Sequence, residues 1–413
     1  MNFFSRYKKL FIIIIFLGIS ALIGYFIWSV FFRETPGPII VDEQGRVISG
    51  LPETATGTRD IIDPDQEGDL PIDPGIAQPP RPGDIDSIAS GGVTQTERLS
   101  SDRTLGPTLT SDGSLRYYNQ NDGKFYNIDK EGNLVSISDT VFHSVENVTW
   151  APNSDKAILE YPDGRKILYN FETEKQSTIP SHWEDFSFSP GGNQLISKSI
   201  GLDPSNSWLV VSNDDSSRAT AIEHIGNNHD IVYPSWSPAQ QIVGLYTGGV
   251  DFNRQEIFFI GQNNENFKST VIEGRGLEFQ WSTEGDKLLY SVWNSSDNLN
   301  PRLWIVNASP DNIGQSRRSL DLATWSNKCT FATNDDVYCA VPRSLPQGAG
   351  LFPELADQTE DYLYKINLAT GARQLLAIPD NAYNISDIMV PENQDVLYFT
   401  DKQSGQLYKI DLK

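Results

Sequence analysis

Four histidines are the residues of this chain best suited to acid–base or metal chemistry, and they are His143, His182, His224 and His229. Three of them stand six or seven residues before an aromatic residue, as His143 before Trp150, His182 before Phe188 and His229 before Trp236. If these positions are equivalent in successive repeats, the imidazoles converge, and a metal ion or a general base would fit there. The alternative is a set of hydrogen-bonded structural histidines. The structural role is favoured because no Cys or acidic residue stands at ligand spacing beside the histidines. We therefore predict no metal and no cofactor.

The two cysteines of the chain, Cys329 and Cys339, flank a segment centred near Asn334. A turn at Asn334 would place them opposite each other on neighbouring strands, within the Cα separation of about 4.4–6.8 Å that a disulfide needs. An oxidising compartment would allow the bond to form. We therefore predict a disulfide, with two buried thiols as the alternative. A redox site is not favoured without a Cys-x-x-Cys motif.

Six further residues are candidates for a binding surface because they lie in long segments with little regular pattern. The segments are 247–255, 293–301 and 342–361, with a shorter one at 200–207. The candidates belong to types found at protein interfaces and are Asp251, Phe252, Arg254, Trp293, Arg343 and Phe352. Long loops in a compact domain are usually functional or disordered. The alternative is neutral variation of surface loops.

The elements that would position these residues are copies of one short unit. In Leu277–Tyr290 an alternating strand ends on Trp281, Gly285 and Asp286 form a polar turn, and an apolar strand follows. Similar units begin at Val148, Phe186 and Pro234. Self-similarity at about 40–47 residues is typical of a β-propeller.

Counting the strands predicts an all-β fold, a seven-bladed β-propeller of four-stranded antiparallel blades. The repeats supply seven third strands but only six fourth strands, so blade seven lacks its outermost strand. Val93–Ser100 is predicted to complete it. The alternative is six blades with an irregular end. In this topology the loops between second and third strands share a face with the connectors between blades. The candidate binding loops and the histidines are therefore predicted to lie on one face.

The turn at Trp236-Ser237-Pro238 resembles the repeat of TolB-type propellers, and Trp150-Ala151-Pro152 and Phe188-Ser189-Pro190 match it less completely. It is also similar to the propellers of prolyl-oligopeptidase-like hydrolases. The resemblance covers roughly residues 99–413 and implies either protein binding at a propeller face or occlusion of a hydrolase. Since no Gly-x-Ser-x-Gly nucleophile motif and no hydrolase domain follow, only the binding implication carries over. The resemblance assigns no residue a functional role.

The N-terminal part is predicted to anchor the propeller in a membrane. Residues 10–32 are almost uniformly apolar, long enough for a spanning helix, and Arg6, Lys8 and Lys9 precede them. The positive-inside rule places residues 1–9 in the cytoplasm and the propeller, residues 93–413, outside it. Residues 33–92 are rich in Pro and acidic residues and are predicted to be a disordered linker. A cleaved signal peptide is the alternative.

The charge balance, 32 basic against 54 acidic residues, excludes a basic footprint for nucleic acid. We predict a membrane-anchored, extracytoplasmic propeller that binds or scaffolds a protein or peptide at its long-loop face and is not an enzyme. The alternatives are binding of a cell-wall or surface polysaccharide and a propeller-type lyase or glycosidase. Acids that converge at the channel mouth with raised pKa values would favour the enzyme.

Overall fold

The computed structural model describes residues 85–153, 155–263, 265 and 267–413, together with Leu22. The predicted cytoplasmic tail (1–9), the membrane helix (10–32) apart from Leu22, and residues 33–84 of the predicted linker lie outside these described residues. Within the part that is described, no helix has the length and apolar character needed to cross a membrane.

The described strands form seven separate sheets, arranged as the blades of a propeller. Two short N-terminal strands come first, β1 (Val93–Thr94) and β2 (Glu97–Arg98). Blade one contains β3 (Thr104–Leu109), β4 (Leu115–Asn119), β5 (Lys124–Ile128) and β6 (Leu134–Ser136). Blade two contains β7 (Asn147–Trp150), β8 (Lys156–Glu160), β9 (Lys166–Asn170) and β10 (Lys175–Ile179). Blade three contains β11 (Trp183–Phe188), β12 (Gln194–Ser199), β13 (Trp208–Asn213) and β14 (Thr220–His224).

The remaining blades follow the same order from the inner strand outward. Blade four contains β15 (Val232–Pro234), β16 (Ile242–Asp251), β17 (Arg254–Gly261) and β18 (Thr270–Glu273). Blade five contains β19 (Arg275–Trp281), β20 (Lys287–Trp293), β21 (Pro301–Asn307) and β22 (Arg318–Ser319). Blade six contains β23 (Cys329–Phe331), β24 (Asp336–Pro342), β25 (Asp361–Asn367) and β26 (Arg373–Pro379). Blade seven contains β27 (Ile385–Met389), β28 (Val396–Asp401) and β29 (Leu407–Asp411). Short 3-10 helices lie at Pro204–Asn206, His229–Ile231, Ser295–Asp297, Ser326–Lys328 and Pro353–Ala356.

The N-terminal segment closes the ring, as the sequence predicts. β2 pairs antiparallel with β29 and gives blade seven its fourth strand. β1 adds a parallel fifth strand to blade six, a pairing that the sequence pattern does not predict. The contacts also begin before the predicted boundary at residue 93, since the amide of Ala89 donates to Asp411 O (2.9 Å) and that of Gly91 to Leu376 O (2.8 Å).

Apolar clusters between neighbouring blades hold the ring together. One cluster joins Leu115 and Tyr117 of blade one to Tyr398 and Leu407 of blade seven, across the point of closure. Similar clusters of buried side chains fill the other junctions between blades. Burial of this apolar surface is the main stabilising contribution to such a fold. The complete circuit excludes the alternative of six blades.

Bulges interrupt the inner strands of blades one, three, five and seven, and each contains one residue with positive φ. In blades one and five this residue is glycine, whereas in blades three and seven it is Asp185 (φ 52°) and Asp387 (φ 45°). A bulge changes the direction in which nearby side chains point. The inner strands therefore carry acidic side chains at positions that regular alternation would not supply.

The predicted disulfide is confirmed. Cys329 and Cys339 pair directly across β23 and β24, with Cα atoms 4.0 Å apart, and their sulfur atoms are bonded. Phe331 is the aromatic residue of this inner strand. Trp325 lies in the connector, at the start of the helix Ser326–Lys328.

Candidate functional site

The loops of blades four, five and six interlock into one surface, which we call the loop ridge (residues 250–254, 293–300 and 343–360). The amide of Ser295 donates to Asn253 Oδ1 at 2.9 Å, which joins the loops of blades four and five. The amide of Gly350 donates to Leu299 O at 2.8 Å and joins the loops of blades five and six. The three predicted loops are therefore neighbours in space.

Trp293 lies where the three loops meet. The ring of Phe252 approaches its indole edge-on, with centroids 5.8 Å apart. Gly276 and Gly350 pack against it so closely that a Cβ atom on Gly350 would stand 2.6 Å from Trp293 Cβ. The indole is therefore a half-buried support for the ridge rather than a freely exposed contact residue.

The ridge exposes apolar side chains to solvent, and they are Val250, Phe252, Leu351, Phe352 and Leu355. Phe252 and Phe352, two of the residues predicted from the sequence, are among the most exposed of them, at 62% and 57%. Scattered apolar residues are normal on a surface, but a group on interlocked loops is typical of an interaction site.

The charged residues predicted for the site are engaged within their own loops. Asp251 Oδ2 accepts from Arg254 Nε at 2.8 Å, and the Arg254 guanidinium lowers the pKa of the Asp251 carboxyl. Arg343 Nη1 donates to Glu360 Oε1 at 2.6 Å and closes the base of the longest loop. These groups brace the ridge, and their exposed edges can still contact a partner.

The segment 247–255 differs from the predicted long loop. Strands β16 and β17 continue to Asp251 and Arg254 and leave a tight turn at Phe252 and Asn253. Cross-strand pairing of this polar sequence, with Gly248 and Gly249 in it, extends the hairpin beyond the core. Phe252 is therefore presented at the tip of a projecting hairpin.

The predicted histidines are solvent-exposed, and none of them borders the cavity described below. His143 and His182 lie in connectors between blades, and His229 begins the short helix His229–Ile231. His224 ends β14 rather than lying in a connector, and its ring packs edge-on against Trp208 at 4.8 Å. In the described residues no three or more His, Cys, Asp or Glu side chains form a group able to hold a metal ion.

A cavity of about 190 Å³ lies beside the ridge, where connectors and the longest loop meet. Residues from β19, from the connectors into β23 and β27, and from the helix Pro353–Ala356 border it. Its polar lining residues are Glu278, Asn327, Lys328, Asp357, Asn384, Ser386, Asp387 and Lys402. The shared lining confirms that connectors and second-to-third-strand loops occupy one face of the propeller. We call this space the connector cavity.

Lys328, which lines the connector cavity, belongs to a buried ion pair. Lys328 Nζ donates to Asp361 Oδ2 at 2.8 Å and to Asn384 Oδ1 at 2.9 Å. The Asp361 side chain is 0% exposed, and the same oxygen accepts from the amide of Ile385. Burial lowers the pKa of Lys328 and raises that of Asp361, and their mutual attraction opposes both shifts. The pair holds the connector into β23 against the start of β27.

Two carboxyl groups on inner strands line the same cavity, and no cation from the described part of the chain is bonded to them. No protein donor in the described residues reaches the buried Oε2 of Glu278, and burial raises the pKa of Glu278 to about 7. The protein around Asp387 raises the pKa of that carboxyl, although solvent reaches the side chain. Only the hydroxyl groups of Ser386 and Thr400 oppose this second shift.

The connector cavity was not found by sequence reasoning. Its only visible signal is the position of Glu278 between Leu277 and Phe279 and of Asp387 between Ser386 and Ile388, within inner strands. Acidic residues are so numerous in this chain that these two do not stand out. Glu278 and Asp387 can be recognised as a pair only from the structure, in which the bulges and the connectors bring them to one cavity.

Sequence comparison finds no matching protein family and no curated relative. Structural comparison finds propellers. An oligogalacturonate lyase in complex with manganese has a TM-score of 0.50 at 13% identity, over 80% of this chain and 96% of the lyase. A prolyl endopeptidase has a TM-score of 0.52 at 10% identity, over 76% of this chain and 49% of the endopeptidase. The β-propeller domain of Myceliophteria thermophila Cps50 (Swd1) has a TM-score of 0.51 at 11% identity, over 77% of this chain and 100% of that domain.

At such low identities these likenesses show the fold alone. They agree with the resemblance of the repeats to prolyl-oligopeptidase-type propellers, and the TolB-like type stays a prediction. The solved structures include an enzyme, part of an enzyme and a separate propeller domain, so the fold is compatible with a binding module without selecting one function. The chain is a seven-bladed β-propeller that carries an interlocked loop ridge and a connector cavity on one face.

Proposed function

We propose that this protein is a membrane-anchored propeller of TolB-like type that binds a protein or peptide at its loop ridge, outside the cytoplasm. The observation that carries the proposal is the set of exposed apolar side chains on the blade four and blade six loops, which are joined through the loop of blade five. The apolar residues 10–32 and the basic residues before them support the anchor and the orientation.

The form of the ridge supports a protein or peptide ligand. Phe252 and Phe352 provide large apolar area, and the partly exposed Arg254 and Arg343 have their charges balanced by Asp251 and Glu360. An apolar centre with a polar rim is the usual anatomy of a protein interface. Hydrogen bonds between the loops fix their backbones in advance, which lowers the entropy lost on binding.

The proposal is tested by photocrosslinking in the native membrane. A benzophenone amino acid is placed at Phe252, at Phe352 or, as a control, at Leu134 on the exposed outer strand of blade one. We expect the two ridge positions to capture the same protein and the control position not to capture it. Equal capture at Leu134, or no specific product at the ridge, would remove the support for a binding role.

The alternative function is a lyase or glycosidase, and the Glu278 carboxyl favours it. With a pKa of about 7 in a cavity, this group could donate or accept a proton at neutral pH. The likeness to an oligogalacturonate lyase makes acidic polysaccharides the first substrates to try. Turnover of such a polysaccharide that is lost in Glu278→Gln would support the enzyme, whereas binding without turnover would support polysaccharide recognition.

A further inference from the structure

The connector cavity has an excess of negative charge after its internal ion pairs are counted. Lys328 is paired with Asp361, and Lys402 Nζ stands 2.6 Å from Asp357 Oδ1 at the rim. The carboxyl groups of Glu278 and Asp387 have no bonded cation within the described residues. The lining ammonium groups are therefore already neutralised, and two carboxyl groups remain for a ligand.

One side chain that lines the cavity has an unsatisfied oxygen atom. Glu278 Oε2 is buried without a hydrogen-bond partner in the described residues. A buried polar atom without a partner lowers the stability of the fold by about 1–3 kcal/mol. Such atoms are therefore retained mainly where a ligand or an ordered water forms the missing hydrogen bond. The ionised Glu278 carboxylate accepts hydrogen bonds, and its Oε2 would be satisfied by a donor entering the cavity.

The size and the wall of the cavity restrict the donor. A volume of about 190 Å³ accommodates one side chain rather than a folded element. Trp325 and Ile385 contribute apolar surface that suits a methylene chain, and an aromatic ring also attracts a cation. A bare metal ion fits less well, because the described residues contain no group of three or more suitable ligands.

We propose that the connector cavity binds the ammonium group of a lysine side chain between Glu278 and Asp387. The inference deepens the proposed function by naming the residue that a partner would insert beside the ridge. A small amine can test the cavity without the ridge, so the failure of one proposal can be distinguished from the failure of the other.

The charged groups that face Glu278 determine how binding depends on pH. They are Lys328 and Asp361 from the buried pair, Lys402 and Asp357 at the rim, and Asp387 on β27. Of these, Lys402 favours the ionised form of Glu278, and burial opposes it more strongly. Ammonium binding requires the carboxylate, which is about 9% populated at pH 6 and about 91% at pH 8 for a pKa near 7. Affinity should therefore rise about tenfold over this range.

The experiment measures the affinity of the full-length protein for N-acetyl-lysine methylamide by calorimetry at pH 6 and pH 8. N-acetyl-norleucine methylamide, which keeps the four-carbon side chain but lacks the ammonium group, is the matched ligand control. We expect the lysine compound alone to bind, more tightly at pH 8. In Glu278→Gln binding should weaken at least fivefold at pH 8 and lose its dependence on pH, and Asp387→Asn should weaken it as well.

The control variant is Glu131→Gln, which changes an exposed carboxylate in blade one and should bind like the wild type. Thermal melting of each variant verifies that it is folded. Equal binding of the norleucine compound, unchanged binding by folded Glu278→Gln, or no binding of the lysine compound at 50 mM would each overturn the proposal. Binding of the amine without any crosslink at the ridge would leave the cavity proposal standing and reject the ridge.

Discussion

At the scale of single residues, the buried pair of Lys328 and Asp361 is the contact most sensitive to change. Removing one partner of a buried pair leaves an uncompensated charge and costs about 3–5 kcal/mol. We expect Lys328→Met to lower the free energy of unfolding by about this amount, because the Asp361 side chain has no exposed area. Urea unfolding followed by tryptophan fluorescence measures the change.

The matched control for this prediction is the double variant Lys328→Met/Asp361→Asn. It removes both charges, while the Asn carbonyl oxygen can still accept from the amide of Ile385. This variant should recover a large part of the lost stability. If the single and double variants are equally destabilised, packing rather than charge is the cause.

Glu278 gives the protein a second, pH-dependent property. In the unfolded chain this carboxyl ionises near its ordinary pKa of 4.5, whereas in the folded protein it holds its proton to about pH 7. Its contribution to stability is complete below pH 4.5, is lost as the pH rises to 7 and stays lost above that.

Relative to Glu278→Gln, the wild type should therefore lose about 3 kcal/mol of unfolding free energy between pH 4.5 and pH 8. Urea unfolding of both proteins at the two pH values tests this. A difference between them that does not change with pH would show that Glu278 titrates normally in the folded protein.

At this scale the sequence predicts local pairs better than convergent groups. The Cys329–Cys339 bond follows from two residues equally spaced around one turn, so a hairpin suffices to bring them together. Glu278 and Asp387 come from different blades, and their approach depends on bulges in two inner strands. The similar spacing of His143, His182 and His229 before an aromatic residue does not bring these side chains to the connector cavity.

At the scale of elements, the ridge depends on the close fit of Gly350 between Trp293 and the backbone of the blade five loop. A Cβ atom there would meet Leu299 O at 2.7 Å and Pro301 N at 2.9 Å, so backbone must move. We expect Gly350→Ala to release the longest loop, with faster hydrogen exchange over residues 345–352. The core strands of blade six should keep their protection.

Gly191→Ala is the matched control for the ridge, because its Cβ would meet only the flexible Asn193 side chain in a turn of blade three. It should leave the exchange of the ridge unchanged. If Gly350→Ala also leaves it unchanged, the loops are not held by the contact at Trp293.

Repeat counting predicted the elements well, because each blade repeats one pattern of apolar residues and turns. The loops were predicted less well. Their ends depend on backbone hydrogen bonds, which almost any residue type can form and which therefore leave no pattern in the sequence. The hairpin tip at Phe252 and the short helix Pro353–Ala356 both formed where the sequence suggested irregular chain. The fifth strand of blade six was missed because Val93–Thr94 has only two residues and pairs in parallel.

At the scale of the whole molecule, the N-terminal segment determines whether the ring is closed. A chain that begins at residue 85 retains β1 and β2, and a chain that begins at residue 99 leaves β29 and β26 as open edges. We expect the shorter chain to melt at least 10 °C lower and to aggregate. Equal melting temperatures would show that closure through β2 contributes little.

The central claim is that this face of the propeller recognises a protein through the loop ridge. The most direct measurement is the affinity of the purified crosslinked partner for two double variants. Phe252→Asp/Phe352→Asp changes the ridge, and Leu134→Asp/Val135→Asp, the control, changes two exposed residues of blade one. Loss of two interface anchors should weaken binding at least tenfold in the first variant and leave it unchanged in the second. Equal affinity of the two variants would contradict the account.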